Sequence, residues 1–171
     1  MPTLVSLESI KNPDALREIV TEYLVDEIAL FNAASGQALD PADFVDATMD
    51  NLGAYLPPRG RILAAERADG SYAGVVFLKG LGGGVFEVKR LSVRPANRGQ
   101  GLARALMARL LEEVRTMGGT TVLLDLGKRA GPAAALYRSL GFEEIPPYPE
   151  TENTPEMFPY LTFMRLDVTD R

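Results

Sequence analysis

The sequence contains neither cysteine nor histidine among its 171 residues. The lack of cysteine excludes disulfides, thiolate nucleophiles and cysteine-ligated metals. The lack of histidine excludes Ser-His-Asp and Cys-His catalytic arrangements and histidine-ligated zinc, so we predict no metal site. Any proton transfer must therefore use Asp, Glu, Tyr, Lys or the substrate itself.

The chain also lacks long apolar runs and an excess of positive charge. No apolar stretch approaches the ~18–20 residues that a membrane helix requires, and the first residues lack the basic and apolar segments of a signal peptide. Eighteen basic residues against 23 acidic ones give a net charge of −5, which argues against nucleic acid and mildly favours a cationic ligand. We expect a cytoplasmic protein that binds neither membranes nor nucleic acid.

Apolar residues make up 46% of the chain, which together with its length predicts one globular domain over residues 1–171. Capping and spacing predict a first helix that begins after Asn12 and closes at Gly36, and a second that begins at Asp40 and extends to Pro57. The chain then changes to the apolar period of strands. Besides an opening strand over 3–6, the other predicted elements are strands over 62–67, 72–78 and 85–94, a helix within 98–117, a strand over 120–126, a helix over 133–140 and a strand over 161–168. This order predicts an α/β (α+β) fold with a mixed sheet.

The stretch 94–103 joins a strand rich in charge to a long helix. Gly101 falls at the first helical turn, where glycine costs roughly 1 kcal/mol relative to alanine, which suggests that a ligand approaches the backbone closely. The free N–H groups of a helix start bind phosphates, and Arg98 and Arg104 would add positive charge. A loop with flexible glycines and two solvated arginines is an equal alternative. The pattern is neither a Walker A loop nor the Rossmann fingerprint.

The residues Arg98-Gly99-Gln100-Gly101-Leu102-Ala103 match the motif [Arg/Gln]-x-x-Gly-x-[Gly/Ala]. Together with the preceding Leu91-Ser92-Val93-Arg94-Pro95 and a later block over 133–142, they make the chain resemble the GNAT superfamily of acyl-CoA-dependent N-acyltransferases. The likeness spans most of the chain and is strongest from Val85 to Glu144. It implies two N-terminal helices, an antiparallel meander, and a β-α-β-α-β unit whose central strands are splayed.

The resemblance implies acetyl-CoA as cosubstrate. The pantetheine arm would pair with the main chain of β-strand residues in the opening, where a bulge near Leu91-Ser92 would aim one N–H at the thioester carbonyl. The pyrophosphate would lie on the N–H groups of Arg98 to Ala103. The predicted cofactor-binding residues are Leu91, Ser92, Val93, Arg98, Gly99, Gln100, Gly101, Leu102, Ala103 and Arg104. One departure from the family is Ala130, near which many members have an asparagine that helps to hold the cofactor arm.

Two side chains, Glu87 and Tyr137, are the predicted catalytic residues. By resemblance, Glu87 matches a glutamate that some members use as a general base, directly or through water. A strand glutamate paired with Lys89 or Arg90 is an equal alternative. Tyr137 matches a tyrosine near the cofactor sulfur and would protonate the departing thiolate, whereas the alternative is a core aromatic.

Asp125 and the loop over 146–159 each have a functional and a purely structural explanation. Asp125 ends the central strand, where open sheets place functional groups, although a strand-end turn aspartate is the commoner explanation. The loop over 146–159 contains five prolines and several acidic residues. It would cap an amine acceptor, and a solvated acidic loop is an equal alternative.

The leading interpretation is an N-acetyltransferase that moves an acetyl group from acetyl-CoA to a primary amine by direct attack. A covalent acyl-enzyme is disfavoured, because the chain has no cysteine and no serine can have a histidine partner. The alternative from another class is a catalytically silent acyl-CoA-binding regulatory or sensor module. A nucleotide-binding domain would instead bind ATP or NAD more strongly than coenzyme A. Dimers are frequent in the family, so the resemblance allows a homodimer.

Overall fold

A mixed sheet of seven strands organises the protein in the computed structural model, which describes residues 1–169. The strands are β1 (Thr3–Ser6), β2 (Gly60–Glu66), β3 (Tyr72–Gly82), β4 (Val85–Val93), β5 (Thr121–Gly127), β6 (Glu143–Ile145) and β7 (Leu161–Asp167). Their order across the sheet is β1-β2-β3-β4-β5-β7-β6, and every neighbouring pair is antiparallel except β4 and β5. The predicted mixed sheet is confirmed.

Four α-helices accompany the described part of the sheet: α1 (Pro13–Ser35), α2 (Pro41–Asp50), α3 (Leu102–Thr116) and α4 (Gly131–Ser139). The side chain of Asn12 caps α1 by accepting from the N–H of Ala15 at 3.1 Å, and Gly36 closes the helix in the left-handed conformation, as predicted. None of these helices is long and apolar enough to cross a membrane within residues 1–169.

The predicted end of the second helix was wrong. Helix α2 stops at Asp50, and a 3-10 turn over Leu52–Tyr55 occupies the interval that was expected to be helical. Asp50, Asn51 and Gly53 are poor helix formers, so the segment leaves the α conformation well before the prolines. Helix α4 starts two residues earlier than predicted, because Pro132 is well placed in a first helical turn.

Two hydrophobic cores lie on opposite faces of the sheet. Successive strand residues point to opposite faces, so Leu63 and Val76 pack on the α3 side while Ile62 and Val75 pack on the side of α1 and α2. The alternation along β2 and β3 therefore holds one helix layer on each face. Helix α1 contacts both β4 and β5, and α4 contributes Tyr137 to the core on the α3 side.

Strand β6 was not predicted from the sequence. It is only three residues long and pairs with β7 through Glu143, Glu144 and Ile145. A segment of this length with two adjacent glutamates carries no apolar alternation, so only its partner strand defines it. Strand β3 is also longer than predicted, since it extends to Gly82 before the turn into β4.

Candidate functional site

The two central strands separate after Glu87 and leave an opening between them. β4 and β5 pair in parallel at Val85–Glu87 opposite Thr121–Leu123, which is the whole extent of their pairing in residues 1–169. The predicted splay is thus confirmed. Two adjoining cavities, of about 90 Å³ and 530 Å³, are lined by residues of the separated strand ends. The residues that line both cavities are Tyr23, Glu27, Lys89, Arg90, Asp125, Leu126 and Ala130.

A bulge lies in β4 beside this opening. Val75 faces Ser92 and Phe77 faces Lys89, so three steps along β4 oppose two steps along β3. Arg90 has a φ of 57° and is the one non-glycine residue in 1–169 with a positive φ. A side chain in that conformation is strained, and such residues cluster at functional sites. The predicted bulge is present, and its distorted residue directly precedes Leu91.

The turn before α3 presents unpaired backbone N–H groups. Gly99 and Gly101 have φ angles of 74° and 77°, and the first helical bond runs from the N–H of Ala105 to the carbonyl of Gly101 at 3.0 Å. The N–H groups of Leu102, Ala103 and Arg104 therefore have no carbonyl acceptor within the helix, and no side chain caps it. These residues fit an anionic group such as a pyrophosphate.

The main-chain N–H of Arg98, predicted among the pyrophosphate donors, is already bonded, and the side chains of Arg98 and Arg104 are each held by a hydrogen bond within the protein. The N–H of Arg98 donates to the carbonyl of Pro95 at 3.2 Å, so this amide is not among the free donors. The Arg98 side chain donates to the carbonyl of Val93 at 2.9 Å and ties the turn to the end of β4. The Arg104 side chain donates to Ser139 Oγ at 2.7 Å and links α3 to α4.

Tyr137 combines a packed ring with a free hydroxyl. The residue is 6% exposed, and its ring meets that of Phe142 edge to face, with centroids 5.6 Å apart. The hydroxyl has no hydrogen-bond partner in residues 1–169, and the residue lines the smaller cavity. Burial raises the pKa of the Tyr137 phenol, and the negative charges of Glu27 and Asp125 raise it further. The phenol is therefore protonated at neutral pH and is able to donate a proton.

Glu87 is buried behind the cavities and lines neither of them. Its carboxylate oxygen Oε2 accepts a hydrogen bond from the hydroxyl of Tyr148 at 2.6 Å. Lys89 Nζ lies 3.4 Å from the other oxygen, Oε1, which has no hydrogen-bond partner in the described chain. Burial raises the pKa of Glu87, although Lys89 and Tyr148 oppose the shift. Glu87 is thus placed to receive a proton through a neighbour rather than directly from a molecule in the cavity.

Asp125 is one of two carboxylates that line both cavities, the other being Glu27. It accepts a hydrogen bond from Asn153 Nδ2 at 3.0 Å, and the Tyr148 hydroxyl lies 3.4 Å from the same oxygen. Burial raises the pKa of Asp125, with Lys89 and Arg90 acting against the shift. Asp125 is a strand residue opposite Phe163 rather than part of a turn. The sequence alone made a turn aspartate the commoner explanation for Asp125. The geometry instead favours a functional role.

The proline-rich loop is tied to the sheet instead of being fully solvated. Glu152 forms ion pairs with Lys79 and Lys89, the second with Lys89 Nζ 3.4 Å from Glu152 Oε2. Burial alone would lower the pKa of Lys89, but the surrounding charges of Glu87, Asp125 and Glu152 raise it overall. Lys89 therefore stays protonated and holds the loop against β4.

Sequence reasoning missed Tyr148 and Asn153 as individual site residues. Both lie in the loop that was named only as a cap, and both contact Asp125. A tyrosine between two prolines was the available sequence signal for Tyr148, whereas nothing local distinguishes Asn153. In residues 1–169, no group of three or more acidic side chains is arranged to hold a metal ion.

Comparison with known proteins assigns this architecture. A family model described as an acetyltransferase (GNAT) domain matches residues 58–144. An uncharacterized N-acetyltransferase of Schizosaccharomyces pombe is 30% identical over 172 residues, covering 98% of this chain and 98% of that protein. The chain belongs to the GNAT acetyltransferase family.

Other GNAT proteins agree with this assignment. The IAA acetyltransferase of Azospirillum brasilense is 30% identical over 151 residues, covering 86% of this chain and 90% of that protein. The structure of yncA from Salmonella typhimurium, solved with its cofactor acetyl-CoA, superposes with a TM-score of 0.67 at 20% identity and covers 100% of this chain and 96% of that one. The protein is thus an acetyl-CoA-dependent N-acetyltransferase with the GNAT fold, as the sequence predicted.

Proposed function

We propose that this GNAT enzyme transfers the acetyl group of acetyl-CoA to a primary amine by direct attack. The observation that carries the proposal is the placement of a free phenol, Tyr137, and a carboxylate, Asp125, on one small cavity where the central strands separate. One group is suited to donate a proton and the other to accept one. Among residues 1–169, no cysteine or serine lines either cavity, which supports attack by the amine itself over a covalent acyl-enzyme.

The cosubstrate would be held along β4 and at the start of α3. The main chain of Leu91, Ser92 and Val93 lies in the part of β4 that does not pair with β5. This edge of β4 is therefore available to an extended ligand. The glycine-rich turn from Gly99 to Ala103 would take the pyrophosphate, with Arg104 beside it. The bound thioester supplies an activated acyl carbon, and every other contribution comes from the protein.

The proton transfers divide between the two sides of the cavity. Tyr137 donates its phenolic proton to the departing sulfur, and Asp125 receives the proton that the amine loses. Glu87 acts behind Asp125 through Tyr148, whose hydroxyl contacts both carboxylates. We therefore assign Glu87 as the second proton acceptor of a pair rather than as the group that meets the amine.

Release of free thiol from acetyl-CoA, measured over a panel of primary amines, tests the proposed activity. We expect release that depends on both the enzyme and the amine, with the acetylated amine identified by mass spectrometry. Tight binding of coenzyme A with no release on any amine would instead identify a silent acyl-CoA-binding module. Stronger binding of ATP or NAD than of coenzyme A would also contradict the proposal.

Replacing Gly101 with valine is expected to weaken coenzyme A binding by about tenfold or more. Gly101 is left-handed with a φ of 77° and has nothing within 4 Å of a built Cβ, so protein packing leaves space at this point. A branched side chain would fill the space that the pyrophosphate needs, and it would strain the turn that presents the N–H groups. Isothermal titration calorimetry with coenzyme A measures the effect.

Gly118→Val is the matched control for this substitution. Gly118 follows the other end of α3, has a φ of 73° and likewise has nothing within 4 Å of a built Cβ. It imposes the same backbone strain far from the turn, so the melting temperature should fall in both variants while coenzyme A affinity falls only in Gly101→Val. Equal affinity in the two folded variants would remove the argument for a pyrophosphate site.

A further inference from the structure

The guanidinium of Arg90 carries an unbalanced charge on the wall of both cavities. Its one hydrogen-bond partner in residues 1–169 is the hydroxyl of Thr48, which lies 3.3 Å from Nε and 3.1 Å from Nη2. No carboxylate of the described chain forms an ion pair with it. An arginine side chain has five N–H donors, so most of those of Arg90 are free to bind a ligand.

The neighbouring cation is in a different situation. Lys89 lies 3.4 Å from Glu87 and 3.4 Å from Glu152, and both partners balance its charge. Arg90, the next residue, lies at the bulge with a φ of 57° and lines the same two cavities. A half-buried arginine without a carboxylate partner is costly unless an anion completes its surroundings.

Carboxylates lie around the same cavity without closing on Arg90. Glu27 and Asp125 line both cavities with it. Burial raises the pKa of each, and the charge of Arg90 is among the influences that lower them again. The junction of the two cavities thus offers negative groups for an ammonium and a separate positive group for an anion.

The larger cavity adds a broad apolar wall. Its volume of about 530 Å³ lies within the range of small-molecule sites. The apolar side chains come from α1, α2 and the segment before β7, with Phe31 and Tyr160 in edge-to-face contact at 5.7 Å. They include Leu24, Ile28, Phe31, Phe44, Met157 and Tyr160. This part of the cavity wall suits an acceptor with an apolar body.

We infer that the acceptor is an α-amino acid with an apolar side chain, whose amine faces Asp125, whose carboxylate binds Arg90 and whose side chain occupies the larger cavity. This inference rests on the proposed acetyl transfer and names its substrate class. It replaces the simple cation favoured by the net charge of −5, since the local charges around the cavities have both signs. Arginine suits a carboxylate because its N–H donors can form two parallel bonds.

The test compares leucine with 3-methylbutylamine and leucine amide, which keep the apolar body and remove the carboxylate charge. We expect kcat/KM, expressed per concentration of free amine, to be about 10- to 100-fold higher for leucine, the range for hydrogen bonds to a charged group. In Arg90→Gln this ratio should fall towards one. Any non-glycine residue at position 90 meets the same backbone strain, so the two proteins share that feature.

Arg115→Gln is the control, because it removes the same charge from an exposed position near the end of α3. It should keep the preference of the unaltered enzyme for leucine. Equal use of leucine and 3-methylbutylamine, a preference for leucine amide, or an equal loss on all three substrates in Arg90→Gln would overturn the inference and leave the proposed acetyl transfer intact. Failure to acetylate any amine would overturn the proposed function together with this inference.

Discussion

The variant Tyr137→Phe is expected to lose about 10²-fold or more in kcat, which is the scale of general-acid catalysis by a positioned side chain. The substitution keeps the ring that packs edge to face on Phe142 and deletes only the hydroxyl. Since that hydroxyl has no partner in residues 1–169, its loss should cost less than about 1 kcal/mol of folding free energy. Coenzyme A affinity should barely change, because the predicted phosphate contacts lie on α3.

The way in which the loss of turnover in Tyr137→Phe depends on the leaving group distinguishes acid catalysis by Tyr137 from a packing role. If Tyr137 protonates the departing sulfur, the loss should shrink with an acetyl donor whose thiol is more acidic, because a better leaving group needs less help. Turnover of both proteins is therefore measured with two donors of different thiol pKa. Burial and the charges of Glu27 and Asp125 raise the pKa of Tyr137, so the phenol should stay protonated across the neutral range and add no alkaline limb to the pH–rate profile there.

Tyr72→Phe is the matched control for this measurement. Tyr72 is equally buried and begins β3 away from both cavities, so its variant should retain the turnover of the unaltered enzyme with each donor. A small loss of turnover in Tyr137→Phe that is the same for both donors would mean that Tyr137 only packs against its neighbours.

Several features that depend on contacts between residues close in sequence were predicted correctly, whereas several that depend on distant segments were not. The start of α1 at Asn12 and its end at Gly36 were predicted correctly, because caps depend on bonds within one helical turn. The glycine-rich turn at Gly99–Gly101 was equally readable, since its positive φ angles demand glycine. The end of α2 and the short β6 failed, because weak local preferences there are decided by neighbouring segments.

The chemistry of the site depended on contacts that no local pattern encodes. Glu87 and Tyr148 are 61 positions apart and share a hydrogen bond, and only the folded sheet brings the loop over the end of β4. The sequence predicted Glu87 by family resemblance but left its route to the amine open. Asp125 was weighed as a turn residue, and the structure instead directs it to both cavities.

In the proposed mechanism, Asp125, Tyr148 and Glu87 form the route along which the proton passes. Tyr148 already donates its hydroxyl proton to Glu87 at 2.6 Å, so its oxygen is free to accept from Asp125, 3.4 Å away. Once Asp125 takes the proton of the amine, its new O–H has this acceptor beside it. The negative charge of Asp125 also raises the pKa of Glu87 and, by reciprocity, that of Glu87 raises the pKa of Asp125.

Asp125→Asn should therefore lower kcat/KM by about 10²-fold or more, while Glu87→Gln should give a smaller loss and keep coenzyme A affinity. A base acts only when deprotonated, so activity should fall as pH decreases through the raised pKa of Asp125. Removing the charge of Glu87 lowers that pKa and should shift the fall to lower pH. In Asp125→Asn the rate should simply follow the concentration of free amine.

The pH profile of kcat/KM decides between these roles, with Asp69→Asn as the control. Asp69 accepts hydrogen bonds from Ser71 in the turn between β2 and β3, and asparagine can still accept them there. Its profile should match that of the unaltered enzyme. If the profile of Asp125→Asn also matches, the amine loses its proton to water. If only the pH profile of Glu87→Gln matches that of the unaltered enzyme, Asp125 acts without the second carboxylate. The charge of Glu87, which is separated from Asp125 by the Tyr148 hydroxyl, would otherwise have shifted the pKa of Asp125.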